Sequence, residues 1–163
     1  MNKNKLLFIV IIGFIIYQFL KQNDDKSIEV NTNAEILKVD KLLEVANSYK
    51  GVLYRAGGTT KKGMDCSGLV NTSFKTIGIQ LPRSSKAIST KGTEISLNEV
   101  KIGDLLFFDI ARLKGGINHV GLVTSVKNKE ILFIHSTTSK GVIVSSLNEV
   151  YWESEFVKAT RVL

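Results

Sequence analysis

The sequence predicts an α+β domain in which helices come first and an antiparallel sheet comes after. Apolar residues at helical spacing fill 36–49 and 66–77. From Gly103 onward the pattern changes to short β-like runs at Leu105–Phe108, His119–Val126, Ile131–His135 and Gly141–Ser145. Turns rich in Lys, Asn and Gly separate these runs, so adjacent strands are expected to pair antiparallel.

Taken in order, the chain divides into residues 1–21, 22–33 and 34–163. Lys3 and Lys5 precede the apolar run Leu6–Leu20, which only Gln18 interrupts. A basic start before an apolar run orients the N-terminus to the cytoplasm and exports the remainder of the chain. As a helix the run spans about 22 Å, short of a hydrocarbon core of about 30 Å. That length fits a signal peptide or an anchor. No small residue suited to cleavage lies between Gly13 and Ser27, so an uncleaved transmembrane anchor is expected, with a cleaved signal as the alternative. Residues 22–33 are polar and are expected to form a tether. Thr32-Asn33-Ala34-Glu35 resembles a capping box, with Asp40 as an alternative cap. Ile36, Leu37, Leu42, Leu43, Val45, Ala46 and Tyr49 mark the helix it would open, and Gly51 closes it. The segment Gly57–Gly63 reads as a loop, and a second helix fits Cys66 to about Ile77, stopped by Gly78.

Composition narrows the function. The chain has 163 residues, 44% of them apolar, enough for a packed core and against wholesale disorder. One cysteine excludes an internal disulfide and a Cys-based zinc site, and with only two histidines no metal is expected. The net charge of +7 suits an anionic partner such as a cell wall or membrane surface. Nucleic acid is not expected, because the lysines are scattered, no recognition motif is visible and the N-terminus carries an export signal.

Cys66 opens the second helix, in Met64-Asp65-Cys66-Ser67-Gly68. Unpaired N–H groups and partial positive charge at a helix N-terminus lower a thiol pKa and can hold an oxyanion. The plain alternative is a small buried hydrophobe. His119 begins one β run and His135 ends the next. A three-residue loop centred on Asn128 would place His135 opposite Gly121 and His119 diagonal to it on the same face. A slip of one residue would send the two rings to opposite faces. Taken singly, each histidine is also an ordinary core or surface residue. Together, one Cys and two His converging from a helix tip and a hairpin suit nucleophile, base and orienting group.

Tyr54-Arg55-Ala56-Gly57-Gly58, then Asp65-Cys66-Ser67-Gly68-Leu69-Val70, then Gly78-Ile79-Gln80-Leu81-Pro82-Arg83-Ser84 resemble the NlpC-type family of bacterial cell-wall cysteine peptidases. So do Gly103–Phe108, His119-Val120-Gly121, Phe133-Ile134-His135, Tyr151-Trp152 and Phe156. Several ordered motifs over about Asp40 to Arg161 make the match specific. The resemblance implies a minimal papain-like fold. It implies hydrolysis of peptidoglycan stem peptides, typically between γ-D-glutamyl and a diamino acid, without a cofactor. Carried over, Cys66 is the nucleophile, His119 the base and His135 its orienting partner. Tyr54 would assist the oxyanion, and Asp65, Ser67 and Arg83 would line the substrate groove. The plain alternatives are that Asp65 caps the helix and that Arg83 lies on a solvated face.

Two departures stand out: Lys86-Ala87-Ile88 lacks the Gln that many relatives carry, and Asp109–Asn118 is an individual loop. The implied partners are peptidoglycan peptides and a membrane, with a monomeric domain outside the cytoplasm in a bacterial envelope. A non-catalytic wall-binding module and an amidase on the same fold are the alternatives. Permuted acyltransferase relatives place the His before the Cys, the reverse of the order here.

Overall fold

A computed structural model gives the structure of the chain and describes residues 3–113 and 116–163. Helix α1 (Lys3–Asn47) precedes the short strands β1 (Thr59–Thr60) and β2 (Gly63–Met64). Helices α2 (Cys66–Lys75) and α3 (Ser85–Ile88) come next, then β3 (Thr93–Ile95) and β4 (Leu105–Phe108). The chain continues through β5 (His119–Lys127), β6 (Glu130–Thr137), β7 (Gly141–Ser146), α4 (Val150–Glu155) and β8 (Phe156–Arg161). It divides into two units, Met1–Leu37 and Lys38–Leu163.

In the first unit α1 continues through 22–33, where the sequence predicts a tether and a new helix start at Thr32. No Gly or Pro occurs between Phe14 and Lys50, so no residue there breaks a helix. Among the described residues no helix is long and apolar enough to cross a membrane. Of the predicted anchor, the side chains of residues 6–13, 15 and 16 lie outside those described.

The second unit is an α+β fold on a six-stranded sheet of order β3-β8-β4-β5-β6-β7, every neighbouring pair antiparallel. Both faces of the sheet are covered. Leu105 and Phe107 of β4 join one buried cluster with Leu42 and Ala46 of α1 and Leu69, Val70 and Phe74 of α2. Leu106 and Phe108 join the other, with Val123, Phe133 and Trp152 of α4. Successive strand side chains point to opposite faces, so a strand covered on both reads as the unbroken apolar run Leu-Leu-Phe-Phe.

The β5–β6 hairpin fixes the histidines by a route the sequence does not foretell. Its turn has two residues, not three: Asn128 and Lys129 both take positive φ, 50° and 66°, and Lys127 pairs with Glu130. That register would put the rings out of step. An irregularity between Val123 and Ser125 adds one residue to β5, and beyond it Val123 pairs with Phe133 and Leu122 with Ile134. The shorter turn and the bulge cancel, and His119 and His135 share a face as expected. Gly121 lies between them. A Cβ there would run into the Phe133 ring and approach His135 Cβ to 3.4 Å, so glycine gives the close approach.

Candidate active site

Asp65 sets the position of Cys66. It is the N-cap of α2, accepting from Gly68 N–H at 2.7 Å. It accepts from Gly57 N–H at 2.7 Å, and Arg83 donates to both of its oxygens, at 2.9 and 2.6 Å. Ser67 donates to Asp65 Oδ1 at 3.3 Å and accepts from Arg83 at 2.7 Å. Burial raises the Asp65 pKa, but the Arg83 hydrogen bond and the Gly68 N–H outweigh it and hold the carboxyl below its ordinary value. The bland reading of Asp65 as a helix cap therefore holds together with its place beside the cleft, whereas Arg83 is ion-paired rather than free on a solvated face. Gly68 is required by packing: a Cβ would collide with the Gly58 carbonyl oxygen.

Cys66 lies half-buried at the first turn of α2, where Sγ is 3.6 Å from Ser85 Oγ. Burial pushes its thiol up, against hydrogen bonds with Ser85 and with the backbone of Val120 and Ser67. This corrects the depressed pKa expected from the helix terminus alone: desolvation penalises the thiolate more than the N–H groups favour it. Tyr54 borders the same cleft, and burial, then the charges of Cys66 and Asp65, raise its pKa.

His119 and His135 meet on the opposite wall. Nε2 of His119 is 2.8 Å from Nδ1 of His135, and Nε2 of His135 is 3.1 Å from Ser145 Oγ. With Nε2–H on both rings, His135 donates to Ser145, accepts from His119 and leaves Nδ1 of His119 as a base; the reverse order, with Ser145 donating, satisfies the same two contacts. Trp152 stacks on His119 at 5.5 Å and meets His135 edge-on at 4.5 Å. Burial lowers His119 to about 4, with the Arg112 charge adding to it. Burial and then the neighbouring His119 lower His135 to about 2. Both rings are therefore neutral at pH 7.

Cys66, His119 and Tyr54 line one cavity of about 320 Å³ with Arg112, Tyr151 and Trp152. A second, more open cleft shares Tyr54, Cys66 and Asn118 with the first and is lined also by Asp65, Ser67, Arg83 and Ser85. Of the seven residues singled out in the sequence, Tyr54, Asp65, Ser67, Arg83 and His119 share these cavities with Cys66, whereas His135 lines neither and meets His119 behind the wall. Sequence reasoning missed Ser85 and Ser145. Only the placement of Ser145 two residues from Ile143, which pairs with His135, could have signalled it. Among the described residues no group of three or more His, Cys, Asp or Glu is placed to hold a metal ion.

Residues 51–161 match the NlpC/P60 family. The chain belongs to this family. It is 40% identical over 124 residues to the murein DD-endopeptidase MepS/murein LD-carboxypeptidase of Escherichia coli (strain K12), covering 76% of this chain and 62% of that relative. It is 30% identical over 145 residues to the γ-D-glutamyl-L-lysine dipeptidyl-peptidase of Bacillus subtilis (strain 168), covering 88% of this chain and 46% of the relative. The chain thus spans about three-fifths and just under half of these two proteins. Among solved structures, an NlpC/P60 family protein from Bacillus cereus ATCC 10987 superposes with a TM-score of 0.69 at 31% identity, over 77% of this chain and 40% of that one. These matches carry the α+β, antiparallel-sheet architecture of the NlpC/P60 structures.

Proposed function

We propose that this NlpC/P60 domain is a cysteine peptidase that hydrolyses peptidoglycan stem peptides between γ-D-glutamyl and a diamino acid. The observation that carries the reading is the imidazole chain, His119 to His135 at 2.8 Å, closing on the cavity that Cys66 shares. The name of the Bacillus subtilis relative supports the choice of bond.

The resting pair is a neutral thiol and a neutral imidazole, as their burial dictates. His119 takes the thiol proton as Sγ attacks the scissile carbonyl carbon. N–H groups at the start of α2 and the Tyr54 hydroxyl hold the oxyanion. The C–N bond breaks, His119 returns the proton to the departing amine, and a thioester remains on Cys66. Water then attacks with His119 as base, the C–S bond breaks, and the thiol and a carboxylic acid are released. His135, fixed by Ser145, keeps Nδ1 of His119 available throughout. Every protein group in this route comes from one chain, which fits a monomer.

A second reading, cleavage of D,D cross-links or of L,D terminal residues, is favoured by the name of the Escherichia coli relative. Lys3 and Lys5 before Leu6–Leu20 support attachment to the bacterial inner membrane with the domain outside. Mass spectrometry of muropeptides after incubation with the full chain and with Cys66→Ala tests the function. Fragments split between D-glutamate and the diamino acid, absent with the variant, are expected. Cross-link-derived monomers would establish the second reading, and free stem peptides an amidase. Equal cleavage by Cys66→Ala would overturn the thiol mechanism.

A further inference from the structure

The two clefts beside Cys66 differ in charge. The more open one holds Asp65 and Arg83, already paired at 2.6 Å. The 320 Å³ cavity has Arg112 on its wall and no Asp or Glu among its lining residues. Among the described residues Arg112 makes no salt bridge; its guanidinium donates to Thr138 Oγ1 at 3.3 Å. The turn that presents it is pinned. Glu155 accepts from Ala111 N–H at 2.9 Å, and Asn118 accepts from Ile110 N–H at 2.9 Å while donating to the Ile110 carbonyl at 3.1 Å. The Arg112 charge is felt at His119, where it opposes protonation.

The cavity shared by Cys66 and His119 is the leaving-group side, because the base that protonates the departing amine must adjoin it. We infer that Arg112 is a specificity-determining residue that selects a free carboxylate on the amine-side fragment of the substrate. The inference rests on the peptidase reading and deepens it. A guanidinium without an acidic partner, on a wall that also carries Tyr151, Trp152 and the hydroxyls of Thr137, Thr138 and Ser139, offers charge-assisted hydrogen bonds to a carboxylate. A carboxamide at the same place still accepts from the guanidinium but brings no opposite charge to pair with it. Because Arg112 is exposed, the discrimination is modest, about fivefold.

The test compares L-alanyl-γ-D-glutamyl-L-lysine with its C-terminal carboxamide on the full chain. The expected kcat/KM ratio, acid over amide, is about fivefold for the wild type and falls to about one in Arg112→Gln. Arg112→Lys should keep most of it. A ratio taken within one protein cancels any loss of folded material. The same pair is titrated by calorimetry into Cys66→Ala and Cys66→Ala/Arg112→Gln. If no peptide is hydrolysed, the peptidase reading has failed on these substrates, and the binding ratio still decides Arg112. A ratio near one in the parent protein, or one that Arg112→Gln leaves unchanged, would overturn the inference.

Discussion

The two walls of the cleft solve opposite electrostatic problems. On the α2 side, charge is present and compensated locally: Asp65 gathers two backbone N–H groups, Ser67 and Arg83 around one carboxylate. On the sheet side the reacting groups carry no charge: His119 and His135 are buried beside Trp152 and held neutral. The walls therefore take their precision from different sources. The first wall is fixed by a charged network that also caps a helix. The second is fixed by strand register and by the hydrogen-bonded chain of His119, His135 and Ser145.

The contrast is broken most severely on the sheet side. His119→Ala should lower kcat/KM by about 10³-fold or more, since it removes the only base, measured on muropeptides at pH 7. Asp65→Ala should act chiefly on stability. It strips the cap and leaves Arg83 unpaired, at a cost of about 2–4 kcal/mol in urea unfolding. A loss below about 1 kcal/mol would show that the network does not brace the wall.

Ser145→Ala has a smaller effect than either. It should reduce kcat roughly tenfold with a smaller change in KM. Ser145→Thr, which keeps the hydroxyl, should recover most of it. The imidazole ¹⁵N shifts of His135 should lose the single Nε2–H tautomer in the alanine variant only. An unchanged tautomer would show that Ser145 does not orient the ring.

The neutral pair also shows in the pH dependence of stability. Folded-state pKa values of about 4 and about 2 lie below the unfolded value near 6.5, so the unfolded chain binds more protons below pH 6.5. Stability should therefore fall on acidification from about 6.5. Each histidine contributes at most about 1.4 kcal/mol per pH unit, down to about pH 4 for His119. His135→Gln should roughly halve the slope between pH 6.5 and 5, leaving the share of His119. A wild-type profile flat over that range would contradict the neutral, buried pair.

Much of this was legible in the residues. Leu105–Phe108 and the starts of β5 and β7 stand where the short apolar runs place them, because burial dictates both pattern and strand. Cys66, His119 and His135 announced themselves as the only thiol and imidazole groups of the domain. The hairpin was read less well: the turn length was wrong, and only the bulge near Thr124 restored the register. No local residue type announces a bulge, since it depends on what the two faces must bury. The α4 and β8 segments escaped because six residues each of mixed polarity carry little periodicity. Ser85 and Ser145 escaped because a serine has no signature apart from its neighbours. The thiol pKa escaped because helix position is visible in a sequence and desolvation is not.

The central claim, that Cys66 carries the acyl group, is tested most directly by intact-protein mass spectrometry of acid-quenched turnover mixtures. The thioester route predicts a transient adduct equal to the acyl-side fragment less water, mapped to Cys66 and absent from Cys66→Ala. Turnover that persists in Cys66→Ala, with no adduct in either protein, would contradict it.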